Sequence, residues 1–170
     1  MSAVGFNQLT QKEIPMGAPV KSVIAVICLL LAPSAAAQDG NLTINGSGGK
    51  MILTAEQLQA LPQRELTEQP TNFPKPGRFR GPLLADVLTA ARAAGKDAKL
   101  TALDDYQVAI TADEMAQHNP ILALELDGAT LIGHDFGPYF VMWPFREKPE
   151  IDIEAFQAKA IWQVVKIEVQ

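Results

Sequence analysis

The chain has 170 residues, 48% of them apolar and 19% charged, which is enough apolar material for one globular domain and too much for a disordered chain. The formal net charge is −5, and residues 1–37 carry Lys12, Lys21 and Glu13 for a net of +1, so residues 38–170 carry −6 and have no general attraction for nucleic acid or anionic lipid. Cys28 is the single cysteine, so residues 38–170 form no disulfide, thiolate metal site or cysteine nucleophile.

Lys21 precedes an aliphatic run over 23–32, and Ala35, Ala36 and Ala37 follow it. A basic flank, a short apolar core and a small-residue exit predict a secretory signal over 1–37, cleaved after Ala37, with export to the periplasm. Pro33 ends the run short of the ~20 apolar residues that a spanning helix needs. Met16-Gly-Ala-Pro-Val-Lys21 begins a more usual signal than Met1, so both methionines stand as start positions.

The domain then reads over 38–170. Leu42-Thr-Ile44 is a strand closing in a Gly-rich turn, and Met51-Ile-Leu53 is a second. Thr54-Ala-Glu-Gln57 has the form of a capping box, and Pro62 ends the short helix behind it. A polar strand running into a loop follows over 64–72, then a rigid turn at Phe73-Pro-Lys-Pro-Gly77. The clearest helix has Pro82 at its first position. Leu83, Leu84, Val87, Leu88 and Ala91 lie on one face, and Gly95 is its stop.

Residues 99–103 and 107–110 read as strands flanking a turn at Asp104-Asp-Tyr106. Thr111-Ala-Asp-Glu114 is a second capping box, opening another short helix. Residues 121–126 predict one strand, and Asp127-Gly128 turns it back into Thr130-Leu-Ile132. Residues 138–144 predict an aromatic and aliphatic strand, with Tyr139, Val141 and Trp143 on one face and Phe140 and Met142 on the other. Residues 160–169 predict the closing strand, with Ile161, Val164 and Ile167 apolar. Many short strands and few short helices predict the α+β class.

Chemistry-bearing motifs are few. His118 and His134 share no metal-ligand spacing, Ser47 sits in a Gly-rich turn rather than a nucleophile elbow, and no phosphate-binding loop is present. The adjacent Asp104 and Asp105 read as a turn, since neighbours on a strand point to opposite faces. The aromatic set Tyr106, Phe136, Tyr139, Phe140, Trp143 and Phe145 lies near Arg78, Arg80, Asp135 and Arg146. An aromatic face with Arg and Asp at its rim suits a flat heterocycle: stacking gives affinity and placed hydrogen bonds give orientation.

Several segments in order resemble one family. They are Leu42-Thr-Ile-Asn-Gly46, Leu53-Thr-Ala-Glu-Gln-Leu58 with Leu61-Pro62, Phe79-Arg-Gly-Pro-Leu-Leu-Ala-Asp-Val-Leu88, Ala102-Leu-Asp-Asp-Tyr106, Asp127-Gly128, Gly137-Pro138 with Trp143-Pro144, and Ile161-Trp-Gln-Val-Val-Lys-Ile-Glu-Val169. Together they resemble the sulfite-oxidase-type molybdopterin-binding domain over essentially all of 38–170, which implies a mixed-sheet α+β fold. Enzymes of that family hold molybdenum through a cysteine in the interval that corresponds to 63–78, and no cysteine stands there.

The chain also resembles small, exported, cysteine-free members that bind pterins without molybdenum. Those members act in the periplasm on a membrane-bound enzyme that makes or degrades cyclic di-GMP. The resemblance implies a non-catalytic pterin-binding regulator whose partners are a pterin and the periplasmic domain of a membrane protein. For such a pterin, the chemistry of its ring and edges and the positions of the residues in the chain offer Trp143 and Tyr139 as stacking rings, Asp135 or Asp105 at the donor edge of the ligand, Arg78, Arg80 or Arg146 at its acceptors, and Tyr106 closing the pocket. The alternatives are a molybdopterin-dependent oxidoreductase subunit whose metal is ligated from elsewhere, and an interaction module without a ligand.

Overall fold

Leu42 and Ile44 alternate with polar neighbours, and this period-two pattern makes β1 (Leu42–Gly46) with its apolar side inward. The structure is a computed structural model and describes residues 40–46, 48–71, 73–133 and 135–170. The secretory signal expected over 1–37, Cys28, Ser47 and His134 lie outside the described residues.

β1 turns back into β2 (Gly49–Leu53), with Gly49 at φ +104. α1 (Ala55–Gln59) opens on the expected capping box: Thr54 accepts from the Gln57 N–H, and the Gln57 side chain accepts from the Thr54 N–H. β3 (Gln63–Glu68) pairs antiparallel with β4 (Gly77–Pro82). α2 (Leu84–Ala90) packs Leu84, Val87 and Leu88 into the core. β5 (Ala98–Ala102) and β6 (Gln107–Ile110) form a hairpin, and α3 (Ala112–His118) follows with the second capping box at Thr111 and Glu114.

β7 (Ile121–Ala123), β8 (Glu125–Leu126), β9 (Ala129–Thr130) and β10 (Phe140–Met142) come next. A 3-10 turn (Pro149–Ile151), α4 (Glu154–Gln157) and β11 (Val164–Val169) complete the described chain. Three sheets result: β2-β1-β11-β5-β6, β3-β4-β8-β9, and the pair β10-β7. β1 and β11 run parallel while their other pairings are antiparallel, so the first sheet is mixed. Their apolar sides meet in one core that includes Leu42, Leu88, Leu100, Ile110, Phe140 and Ile167.

Four elements differ from the sequence expectation. Pro82 does not open the helix; it ends β4 opposite Gln63, and Leu83 is the helix N-cap. Gly95 does not stop it either. Arg92 takes the left-handed conformation at φ 58, its N–H bonds to Thr89 O at 2.9 Å, and the Ala93 N–H bonds to Leu88 O at 2.8 Å. This is the paired closure of a Schellman motif with arginine where glycine is usual.

The strand expected over 121–126 is interrupted at Leu124. It runs beside β4 throughout, but the register changes by one residue between the Leu83–Ile121 bridge and the Arg80–Glu125 pair. One extra residue on one strand is a bulge. Gly81 faces it, and a Cβ there would collide with the Leu122 carbonyl and lie 2.7 Å from Ala123 Cα.

The strand expected over 138–144 shortens to Phe140–Met142 and has no open face: Tyr139, Phe140, Val141, Met142 and Trp143 are all buried. A continuous apolar run is the mark of a strand covered on both sides. The closing strand starts at Val164, not 160, because residues 161 and 163 bond elsewhere: Ile161 O accepts from Val141 and Gln163 O from Leu103.

Candidate functional site: an aromatic slot beside the Leu103–Tyr106 turn

The eight residues singled out from the sequence do not converge. Trp143 is fully buried; its indole N–H donates to Lys159 O at 3.1 Å, and Phe156 stands edge-on at 4.9 Å between centroids. It offers no face for a ligand ring to stack on, because the core takes both sides of the strand. Tyr139 is 3% exposed and donates its hydroxyl to Gly40 O. Burial, and secondarily the Glu56 charge, push its phenol up to about 12.

Arg80 pairs with Glu125 at 2.8 Å and Arg78 approaches Glu65 at 3.9 Å, both on the β3-β4-β8 sheet. Arg146 has an exposed side chain, and its backbone N–H points to Glu68. Asp135 lies in a turn where its N–H bonds Ile132 O and its carbonyl accepts from Gln163 Nε2 at 3.0 Å. Asp105 stands at φ 65 in the β5–β6 turn.

Tyr106 is different. It is 49% exposed, and its hydroxyl donates to Ala158 O at 3.1 Å, which fixes the ring across a gap. On the far side runs the segment 157–162. Between them is a slot of about 320 Å³ lined by Ala102, Asp104, Tyr106, Gln157, Ala158, Ala160, Ile161 and Trp162. Trp162 is half-buried, with its ring edge-on to Phe136 at 6.4 Å and to Phe140 at 6.1 Å. Alanines at 102, 158 and 160 leave room between the two rings.

Two polar groups of the slot are held in place. Asp104 accepts the Tyr106 N–H at 3.1 Å, a bond that closes the Asx turn and orients the carboxylate. Gln157 accepts from the Thr71 hydroxyl at 3.3 Å and donates through Nε2 to Asp152. An amide has two donors and two acceptor lone pairs, so one of each remains for a ligand. Trp162, Asp104 and Gln157 are the residues that sequence reasoning missed.

The slot meets the size and character of a small-molecule site, with stacking surface and few polar groups. It has no metal donor set: among the described residues no three His, Cys, Asp or Glu side chains form a metal-holding group. In the interval 63–78 the buried acid is Glu68, whose carboxylate is turned to the Arg146 N–H. The donors of a molybdenum centre of the family type are therefore not assembled from the described residues.

No family model and no curated protein sequence matches the chain. Among solved structures it is similar to the crystal structure of the sulfane dehydrogenase SoxCD from Paracoccus pantotrophus, with a TM-score of 0.54 and 14% identity. The fold is of the sulfite-oxidase type. The match covers 76% of this chain, whereas the chain spans only 37% of the dehydrogenase chain. The aromatic slot lies against the five-stranded sheet of this fold, where Ala102 ends β5.

Proposed function

We propose that this chain is a non-catalytic, exported pterin-binding protein that regulates a membrane-bound cyclic-di-GMP enzyme through that enzyme's periplasmic domain. The observation that carries the reading is the slot between Tyr106 and Trp162. A pterin is flat, and stacking on aromatic rings is worth ~1–3 kcal/mol per ring. Its 2-amino and N3–H edge suits a carboxylate, and Asp104 stands at the slot wall with its orientation already set. The remaining Gln157 N–H suits the 4-oxo group. Asp105, in the same turn, is the second carboxylate within the reading; the three arginines and Trp143 drop out of it.

The sulfite-oxidase-type fold and the lack of cysteine from 38 to 170 support a ligand role without molybdenum. Export rests on the sequence over 1–37. No helix among the described residues is long and apolar enough to cross a membrane.

The test is to express the full chain, purify it from the periplasm, denature it, and analyse what it releases by fluorescence-detected chromatography and elemental analysis. A released pterin without molybdenum, lost in Trp162→Ala, is the expected result. Molybdenum at one per chain would restore an oxidoreductase subunit. Release of neither, with no uptake of reduced pterins on titration, would leave an interaction module.

A further inference from the structure

The turn that walls the slot has a second side. Leu103 lies between Ala102 and Asp104 in the chain, yet it lines a separate cleft of about 540 Å³. Leu103 is 53% exposed and Ile132 42%, and both stand on this cleft with Leu131, Pro138 and Val165. Exposed bulky aliphatic groups on the rim of a cleft mark a contact surface. The cleft lacks an open aromatic face, because Tyr139 is buried and its hydroxyl is held by Gly40 O.

Among the described residues, Glu56 is the one charged group that lines it. Glu56 is exposed, and the neighbouring Thr54 hydroxyl holds its carboxyl below the usual range. An anionic occupant is disfavoured by that charge and by the acidic chain as a whole. A bulky aliphatic group beside a cation complements the cleft in both shape and charge.

We propose that this cleft docks a short segment of a partner protein that carries a bulky aliphatic side chain beside a lysine or arginine. The aliphatic group seats against Leu103, Ile132 and Val165, and the cation pairs with Glu56. Docking itself does not depend on what fills the slot. Its use as a readout rests on the pterin reading: the partner touches Leu103 on one side of the turn, and the ligand touches Tyr106 on the other. The two sides share this one turn, braced by Leu103 N–H to Gln163 O at 3.0 Å and Asp105 N–H to Ala102 O at 3.1 Å.

The experiment is an NMR titration of the full chain, methyl-labelled, with two blocked hexapeptides that have a Leu-Lys-Leu or a Leu-Glu-Leu centre. The lysine peptide is expected to shift the Leu103 and Ile132 methyls and to bind up to about fivefold tighter than the glutamate peptide, the range for an exposed charge pair. Glu56→Lys is expected to reverse the order. Unmoved methyls, equal affinities, or an order unchanged by Glu56→Lys would overturn the proposal. A parallel titration with a reduced pterin, read at the Trp162 indole, separates the two readings. Peptide binding without pterin binding leaves the docking cleft standing and removes the pterin; the converse removes the cleft.

Discussion

Glu68 ends β3 at 2% exposure, and both of its carboxylate oxygens face the Arg146 N–H, at 3.2 and 3.1 Å. Burial pushes its carboxyl from 4.5 up to about 7; the Arg146 N–H and guanidinium oppose the rise, and the Glu147 and Asp152 charges add to it. Between those two pH values the folded chain keeps a proton that the unfolded chain releases. The stability is therefore fully present below about pH 4.5, falls as pH rises, and has lost this contribution once pH passes about 7. The gap of about 2.5 pH units, at ~1.4 kcal/mol per unit, sets an upper limit of about 3.5 kcal/mol. Glu68→Gln keeps an acceptor for the Arg146 N–H and removes the titration. Urea denaturation followed by tryptophan fluorescence at pH 5, 6, 7 and 8 is expected to show the parent losing up to about 3 kcal/mol and the variant losing much less. Glu114 and Glu168, whose carboxyls are lowered by their lysine partners, act below pH 4.5 and do not mask the window. Equal slopes for the two proteins, or parent stability that rises from pH 5 to 8, would refute the reasoning.

Arg92→Gly relieves the left-handed arginine behind α2 and is expected to raise stability by up to about 1 kcal/mol, read as a higher urea midpoint at unchanged slope. Gly81→Ala forces a methyl into the β7 backbone and is expected to cost ~3 kcal/mol or more, or to abolish soluble expression. Trp143→Ala opens a core cavity and orphans Lys159 O, for a loss of ~3–5 kcal/mol on thermal or urea unfolding. Where Trp143→Ala still folds, its pterin retention is expected to survive, which separates it from Trp162→Ala. Thr111→Ala removes the α3 cap and is expected to cost ~1 kcal/mol by the same assay.

What the sequence revealed was what neighbours in the chain decide. Both capping boxes, the Asp127-Gly128 hairpin and the Asp104–Tyr106 turn form where expected, because their hydrogen bonds span only a few residues. The break at Leu124 was hidden, since it follows from a register shift against β4 and a glycine forty residues earlier. The alternation over 138–144 pointed to one open face, but cover from both sides is a property of the partners. Arg78 and Arg80 looked free until the sheet set them beside Glu65 and Glu125. Glu68 gave no sign of burial, because its partner is a backbone N–H contributed from 78 residues away. Trp162 did carry a signal: it falls outside the buried set Ile161, Val164 and Ile167, and its ring packs on the rim of the core with one part left to the slot.

β11 lies third of five in its sheet, between β1 and β5, although it is the last described strand in chain order. The inner edge of β1 therefore waits for residues more than a hundred positions later, and the sheet cannot close during synthesis until residue 169 has emerged. Such distant pairing slows folding, because the entropy of closing the long loop is lost before any contact returns it. The five-stranded sheet therefore stays open until β11 has emerged, while the β2-β1 and β5-β6 hairpins can pair earlier. Deleting Val164–Val169 removes not an edge but the seam that joins the β2-β1 hairpin to the β5-β6 hairpin.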